Sequence, residues 1–591
     1  MKPKTTHSRV LRLGPRAWFI LSFATWFIST SAGLAGWTAL THTAPGGVGL
    51  MLLLSDGTIL AASRVTDPAE VPLSSGSRIW YRLTPLNGSY VDGTWTTLNP
   101  MRDTRLWYSS VVMRDGRVLV AGAEYGTGGS TAEIYDPVSG NWTVTPAPGT
   151  ALVDSVSKIL RDGTVLVGPA AGGITRIYNP FTNTWSAGPT PVGNANQNEV
   201  TWLKLPDDSI LTIPTNSFVS QRFLQSTNPN QWINDGTVPV NVYSSVGAES
   251  GGAFWLSNGK AWFIGGDSAT ALYTPSGNNN PGTWAAGASI PNVPNASGTP
   301  VPGGAPDAGA AMMVNGRVLC ALSPQMYVNP SPPPANIFPT PTSFAIYDPI
   351  ANSFAPINGP TGATVNVPSY QNLMLALPNG TVLYSNFGNQ LYTYSPDVAP
   401  APLAAGKPTI TSITANADGS YHLIGTKLNG ISEGASYGDD AQMDSNYPIM
   451  RLIDSGGQVR FGRTFNWSST SVATGNTPVS TEFTLSASDL AGGPGGPGFF
   501  YLEASSSGNR SDLIEFYGPI WVDFNYNGTQ VGSFAGPYKT LGAAINNAAN
   551  FPAAGRTIHI KGPGTSAETF PSGISVPVTI ISTGGAATIG H

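Results

Sequence analysis

Asp115-Gly116-Arg117-Val118-Leu119-Val120-Ala121-Gly122 is followed by Ala132-Glu133-Ile134-Tyr135-Asp136-Pro137 and then by Asn141-Trp142-Thr143. A two-residue turn that accepts positive φ, a β-branched run, a Tyr strand and a Trp strand make one antiparallel unit of short strands. The unit recurs. Asp162-Gly163-Thr164-Val165 leads to Ile177-Tyr178-Asn179-Pro180 and Thr184-Trp185, and Asn315-Gly316-Arg317-Val318 leads to Ile346-Tyr347-Asp348-Pro349 and Ser353-Phe354. Working outward, the turn pairs fall at Asp56-Gly57, Asp115-Gly116, Asp162-Gly163, Asp208-Ser209, Asn258-Gly259, Asn315-Gly316 and Asn379-Gly380, spaced by 59, 47, 46, 50, 57 and 64 residues. Seven units of this period predict a seven-bladed β-propeller over residues 36–400. The seventh unit lacks a Trp strand after Tyr392-Thr393-Tyr394, while Gly36-Trp37-Thr38-Ala39-Leu40 is an unclaimed strand of that type. The first strand is therefore expected to close the last blade, which removes two open edges. The outer aromatics Trp95, Trp142, Trp185, Trp232, Trp284 and Phe354 are expected to pack between blades.

Composition narrows the function. Charged residues are 10% of the 591 and the net charge is −5, without a basic run after the first residues, so nucleic acid is not expected as a partner. Cys320 is the single cysteine and lies in an apolar strand, so it reads as a buried small hydrophobe. Lys2, Lys4, Arg9, Arg12 and Arg16 precede an apolar stretch, Ala17 to Ile28, and small residues to Ala35. That order predicts an export signal over residues 1–35 and a secreted, periplasmic or cell-surface protein.

Past the propeller, alternating strands around Pro408–Ile413, Tyr421–Gly425, Ile449–Leu452, Thr481–Leu485 and Gly498–Glu503 suggest an immunoglobulin-like sandwich over residues 405–518. Residues 519–591 read differently. An amphipathic helix with Leu541, Ile545 and Ala548 on one face precedes Thr557–Ile560 and Val578–Ile581. This resembles the cap and first coil of a pectate-lyase-like parallel β-helix, one coil of which is not expected to bury a core of its own.

The start of each innermost strand lies eight or nine residues before its turn, where a propeller brings every unit to one mouth of the channel. In order, the blades place there Gly47/Val48, Trp107, Asp154, Glu199, Glu249, Asp307 and Tyr370/Gln371, with Arg105 and Tyr108 flanking the second. Carboxylates crowded in one ring are costly unless solvated, paired or bound to a metal. This ring is the candidate binding site.

The repeat resembles kelch propellers, and more narrowly those of the galactose oxidase and glyoxal oxidase family. Arg105-Leu106-Trp107-Tyr108-Ser109-Ser110, Ala305-Pro306-Asp307-Ala308 and Ser369-Tyr370-Gln371 carry that match, which continues into the second segment. The resemblance implies a copper ion at the mouth, held by two tyrosines and two histidines, one tyrosine crosslinked to cysteine. The matching positions here hold Val48 for the cysteine, Trp107 for the crosslinked tyrosine, Tyr370-Gln371 for Tyr-His, and Thr464-Phe465-Asn466 near the second histidine. Copper(II) prefers nitrogen ligands, so no cofactor and no oxidase chemistry are expected. No serine-hydrolase elbow, zinc-protease helix or phosphate loop occurs. The expectation is an exported, non-catalytic binding or surface protein whose ligand is carbohydrate or another extracellular polymer. The alternatives are a carbohydrate-active hydrolase or lyase using neighbours such as Glu199 and Glu249, and a scaffold in which Glu199, Glu249 and Asp307 hold Ca²⁺.

Overall fold

The structure is a computed structural model and describes residues 36–64, 76–168, 173–396, 402–433, 435–436, 445–454, 456–485, 499–574 and 576–590. The expected export signal lies outside the described residues. Among them, no helix is long and apolar enough to cross a membrane.

Seven antiparallel blades follow one another from Val48 to Ser395. Blade 2 shows the plan, with Ser109–Val112, Val118–Ala121, Ala132–Asp136 and Asn141–Val144 from the channel outward. The first two strands are almost wholly buried in every blade, because each is sandwiched between neighbouring blades. In the seventh blade the outer strand is Gly36–Ala39, antiparallel to Tyr392–Ser395, with Trp37 opposite Tyr394. The chain therefore closes its ring as the repeat count requires. Cys320 is buried in the second strand of blade 6.

The turn that defines the period is an Asx turn. Oδ1 of Asp56, Asp115, Asp162, Asn258, Asn315 and Asn379 each accepts the backbone N–H two residues on. Asp207 does this in blade 4, accepting from Ser209. The fourth turn pair is thus Asp207-Asp208 rather than Asp208-Ser209. Asp208 holds the left-handed place of the glycine, at φ +66° against +77° to +90° for the six glycines. Aspartate tolerates that region better than most side chains, which is why the sequence loses its glycine there and the register is easily misplaced by one.

The outer tryptophans stitch blades together. Nε1 of Trp185 donates to Thr145 Oγ1 of blade 2, and Nε1 of Trp284 donates to Ser220 Oγ of blade 4. Trp142 packs on Trp80 of blade 1 at 5.2 Å.

The second unit docks on the turn face of the ring. Thr464 N–H donates to the Ser55 carbonyl, Arg463 to that of Asp115, Ser471 to that of Pro206 and Ser505 to that of Pro378. Its backbone at Ala435–Ser436 pairs antiparallel with Ala310 and Ala311, adding a strand on the channel side of blade 6's innermost strand. Hydrogen bonding joins Thr409–Ala415, Tyr421–Thr426, Pro478–Thr484, Val459–Phe465, Ile449–Ile453 and Phe499–Ser506 in that order, with Asn509–Arg510 and Ile514–Tyr517 paired to the last. This is one continuous sheet where the sequence reading expects two. Leu423 and Phe483 from one end share a core with Leu452, Leu502 and Phe516 from the other, so the sheet curls on itself.

In the tail, Ile520–Val522, Thr557–Lys561 and Thr579–Thr583 run parallel, with a second parallel pair, Gly564–Ser566 and Ala587–Ile589. Helix Leu541–Ala548 starts at Thr540, whose Oγ1 accepts from Ala543 N–H, while Glu568 accepts from the N–H groups of Leu541 and Gly542. Both devices satisfy donors that a helix start leaves open. Val522, Leu541, Ala544, Ile545, Ile558 and Ile560 form a core of their own. The expectation that this segment cannot bury a core is corrected, because the helix covers the sheet where another coil would otherwise be needed.

Candidate functional site at the propeller mouth

Trp107, Asp154, Glu199 and Asp307 each lie eight residues before their turn, and all four adopt left-handed φ, at +53°, +45°, +56° and +46°. A left-handed non-glycine costs about 1–2 kcal/mol and persists only where its surroundings hold it. Here the holders are bonds between blades. Asp307 N–H donates to the Ser250 carbonyl and Gly309 N–H to that of Asn372, Ser250 Oγ donates to the Glu199 carbonyl, and Ser369 Oγ to that of Pro306. The left-handed residue breaks the strict in-out alternation of a strand, which frees its side chain from the packed faces of the blade. Blade 5 differs by one. Its innermost strand carries a bulge between Ser250 and Ala253, so Glu249 lies nine before its turn and Ala248 takes the left-handed conformation.

Blades 3 to 6 build an acidic wall. One carboxylate oxygen from each of Glu199, Glu249 and Asp307 lies within 4.8 Å of the other two. Asn198 Nδ2 donates to Glu199 Oε1 at 2.9 Å. Burial, then the charges of Asp307 and Asp154, push the Glu199 carboxyl up to about 9, and a hydrogen bond from Glu249 only partly offsets this. Carboxyl groups that hydrogen-bond to each other must hold a proton between them, so the wall carries at least one at neutral pH. Glu124 joins from blade 2, its carboxyl also raised by burial while it hydrogen-bonds to Tyr125.

Blades 7, 1 and 2 build an aromatic wall. Trp107 meets Tyr370 edge to face at 6.3 Å and Phe387 at 5.9 Å, and Phe338 meets Tyr370 at 5.0 Å. The Arg64 guanidinium lies 4.8 Å over Phe387. Gln371 Nε2 donates to the Tyr370 hydroxyl at 3.3 Å.

The structure therefore brings Trp107, Tyr370 and Gln371 together on one side and Asp154, Glu199, Glu249 and Asp307 on the other. Three flanking positions fall elsewhere. Tyr108 is buried with its ring against Trp80, and Val48 is wholly buried. Arg105 is buried on Glu133 and clamps the carbonyls of Gly122, Gly128 and Thr131. Arg64, Glu124 and Phe387 are absent from the sequence reading. The signal for them is symmetry: each lies eight or nine residues after its turn, level with the residues eight before it on the partner strand of the same hairpin.

The donor set at this mouth does not fit copper. His42 bonds to Gly93, His422 to Glu482 in the second unit and His559 to Thr583 in the tail. No imidazole among the described residues reaches the ring, and Cys320 is buried in a strand with its thiol raised by burial. Thr464 lies against Ser55 on the turn face, so the region matched to a second histidine is at the wrong end of the ring.

No protein-family model matches the chain, and no curated protein matches it in sequence. Among solved structures, a fungal alcohol oxidase of the AA5 family, in complex with copper, is similar with a TM-score of 0.46 and 14% identity, covering 82% of this chain and 99% of that one.

Proposed function

We propose that this chain is an exported, non-catalytic binding protein whose propeller mouth takes a neutral carbohydrate. The observation that supports it is the division of one mouth into two walls. Aromatic edges and faces of Trp107, Tyr370 and Phe387 suit the C–H faces of a sugar, and the carboxylates opposite suit its hydroxyls. The shared proton also lets the acidic wall donate as well as accept. Hydrolysis is the weaker reading, because glycosidases hold their two carboxyl groups about 5–10 Å apart around the scissile bond, whereas here oxygens of three converge within 4.8 Å. Export rests on the basic and apolar order of residues 1–35.

The test is a glycan array, followed by calorimetry in EDTA on Trp107→Ala and Asp307→Asn. Asp307→Asn is expected to lose about ten- to a hundredfold in affinity, since a hydrogen bond to a charged group contributes about 1.5–3 kcal/mol, and Trp107→Ala is expected to weaken binding by removing the face on which the sugar packs. Released reducing ends would replace this reading with hydrolysis. Binding that vanishes in EDTA would replace it with cation-mediated recognition. Unchanged affinity in both variants would move the site off the ring.

A further inference from the structure

The connections between second and third strands open on the mouth, and in blade 5 this connection is four residues, 266–269. In blade 6 it runs from 325 to 341 and carries a hairpin, Tyr327–Asn329 paired with Ala335–Ile337. A two-stranded ribbon is marginal alone, so its placement depends on its anchors. There are two, one on each wall. At the base, Met326 is buried. Met326 Cε, Asn336 Nδ2 and Glu249 Oε1 all crowd Gly247, lying 3.0, 3.3 and 3.3 Å from where a Cβ there would be. The Asn336 amide is therefore beside the acidic wall. On the other side Phe338 meets Tyr370 of the aromatic wall. Gln325 Nε2 adds a bond to Ser268 Oγ at 2.7 Å. Val328 is the cross-strand partner of Asn336 and so shares its face of the ribbon, 48% exposed. The tip, Pro330-Ser331-Pro332-Pro333-Pro334, is stiffened by proline.

We infer that this hairpin is the length- and specificity-determining element of the mouth. It continues the binding surface outward from Glu249 through Asn336 and Val328, so the ligand is a neutral oligosaccharide of several units rather than a single sugar. The inference rests on the carbohydrate reading above. In this reading one unit sits at the ring, against Trp107 and Tyr370. The next unit meets the Asn336 amide, which both donates and accepts, and packs a C–H face on Val328.

The experiment uses the full chain and neutral gluco-, manno- and xylo-oligosaccharides of one to six units. Wild type is expected to bind the best series at least about tenfold more tightly as oligomer than as monomer, the scale of one added hydrogen bond with its packing. Asn336→Ala should reduce that preference severalfold. Replacing residues 327–337 by Gly-Ser-Gly should abolish it, with an unchanged melting temperature as the folding control. A length preference that survives both changes overturns the inference and leaves the carbohydrate reading standing. Wild type that binds no member of any series overturns both.

Discussion

Trp37 and Tyr394 are backbone partners across the seam of the ring, with ring centroids 4.9 Å apart. Trp37 also meets Phe344 of blade 6 at 5.3 Å, and its Nε1 donates to the Asn358 carbonyl at 2.7 Å. One side chain thus joins the first strand, the last blade and its neighbour. Trp37→Ala should cost about 3 kcal/mol, the low end for a large aromatic because the ring is only partly buried. Deleting residues 36–41 should do more, baring the edge of Tyr392–Ser395 to other chains. Urea denaturation and light scattering check both. A monodisperse deletion variant of unchanged stability would remove the seam from the account.

Arg105 and Glu133 form a buried pair in blade 2, 3.0 Å apart, their side chains 0% and 1% exposed. Glu133 also accepts the N–H groups of Arg102 and Asp103. The pair fixes the segment that ends in Trp107. Arg105→Met should cost about 3–5 kcal/mol, because it strands a buried carboxylate. Adding Glu133→Gln should restore part of that, and the double-mutant cycle in urea measures the coupling. Additive losses would show that the two residues act separately.

Glu433 of the second unit reaches the propeller core, where its Oε2 is 2.8 Å from Lys158 Nζ and accepts the N–H of Lys204. Lys204 Nζ donates to the Ile159 carbonyl and to that of Thr470. One buried ammonium and one backbone N–H of the propeller share this carboxylate, so Glu433→Gln should loosen the docking of the two units. The expected sign is a lower unfolding midpoint in urea, because the change leaves the buried Lys158 ammonium without its counter-charge. An unchanged midpoint would assign the docking to the neutral contacts at Ser55 and Pro378.

The blades were legible because each carries its own turn, and an Asx turn needs a short polar side chain at a fixed place. Blade 4 shows the limit. Asp207, Asp208 and Ser209 all suit a turn, and only the hydrogen bond from Ser209 N–H to Asp207 decides the register. The acidic side of the mouth was legible by the same periodicity. The bulge that sets Glu249 apart was not read from the sequence, although Gly251-Gly252 inside a strand is the kind of signal that marks one, as Gly49 is in blade 1. Nor was the burial of Arg105 and Tyr108, which depends on the neighbouring loop and blade rather than on position in the repeat. The single curled sheet was hidden for a like reason: strand alternation reports a buried face, not which strands share hydrogen bonds.

Glu199 supplies the pH test. Its folded-state carboxyl is raised well above its ordinary value of 4.5, first by burial and then by the charges of Asp307 and Asp154. A carboxyl raised on folding binds its proton more tightly in the native state. Its contribution to stability is fully present below the unfolded pKa and is lost as pH rises through the folded one. The window here runs from about pH 5 to about pH 9. Within it the native state holds a proton that the unfolded chain releases, so stability falls by roughly 1 kcal/mol per pH unit for one full proton. Glu199→Gln keeps the shape and an oxygen for the Asn198 amide and removes the titration. The variant should match wild type near pH 5 and exceed it increasingly toward pH 9, as scanning calorimetry at half-unit steps would show. Melting curves that run parallel across that range would mean that Glu199 is ionised in the native protein and that the three carboxylates are held together by something other than a shared proton.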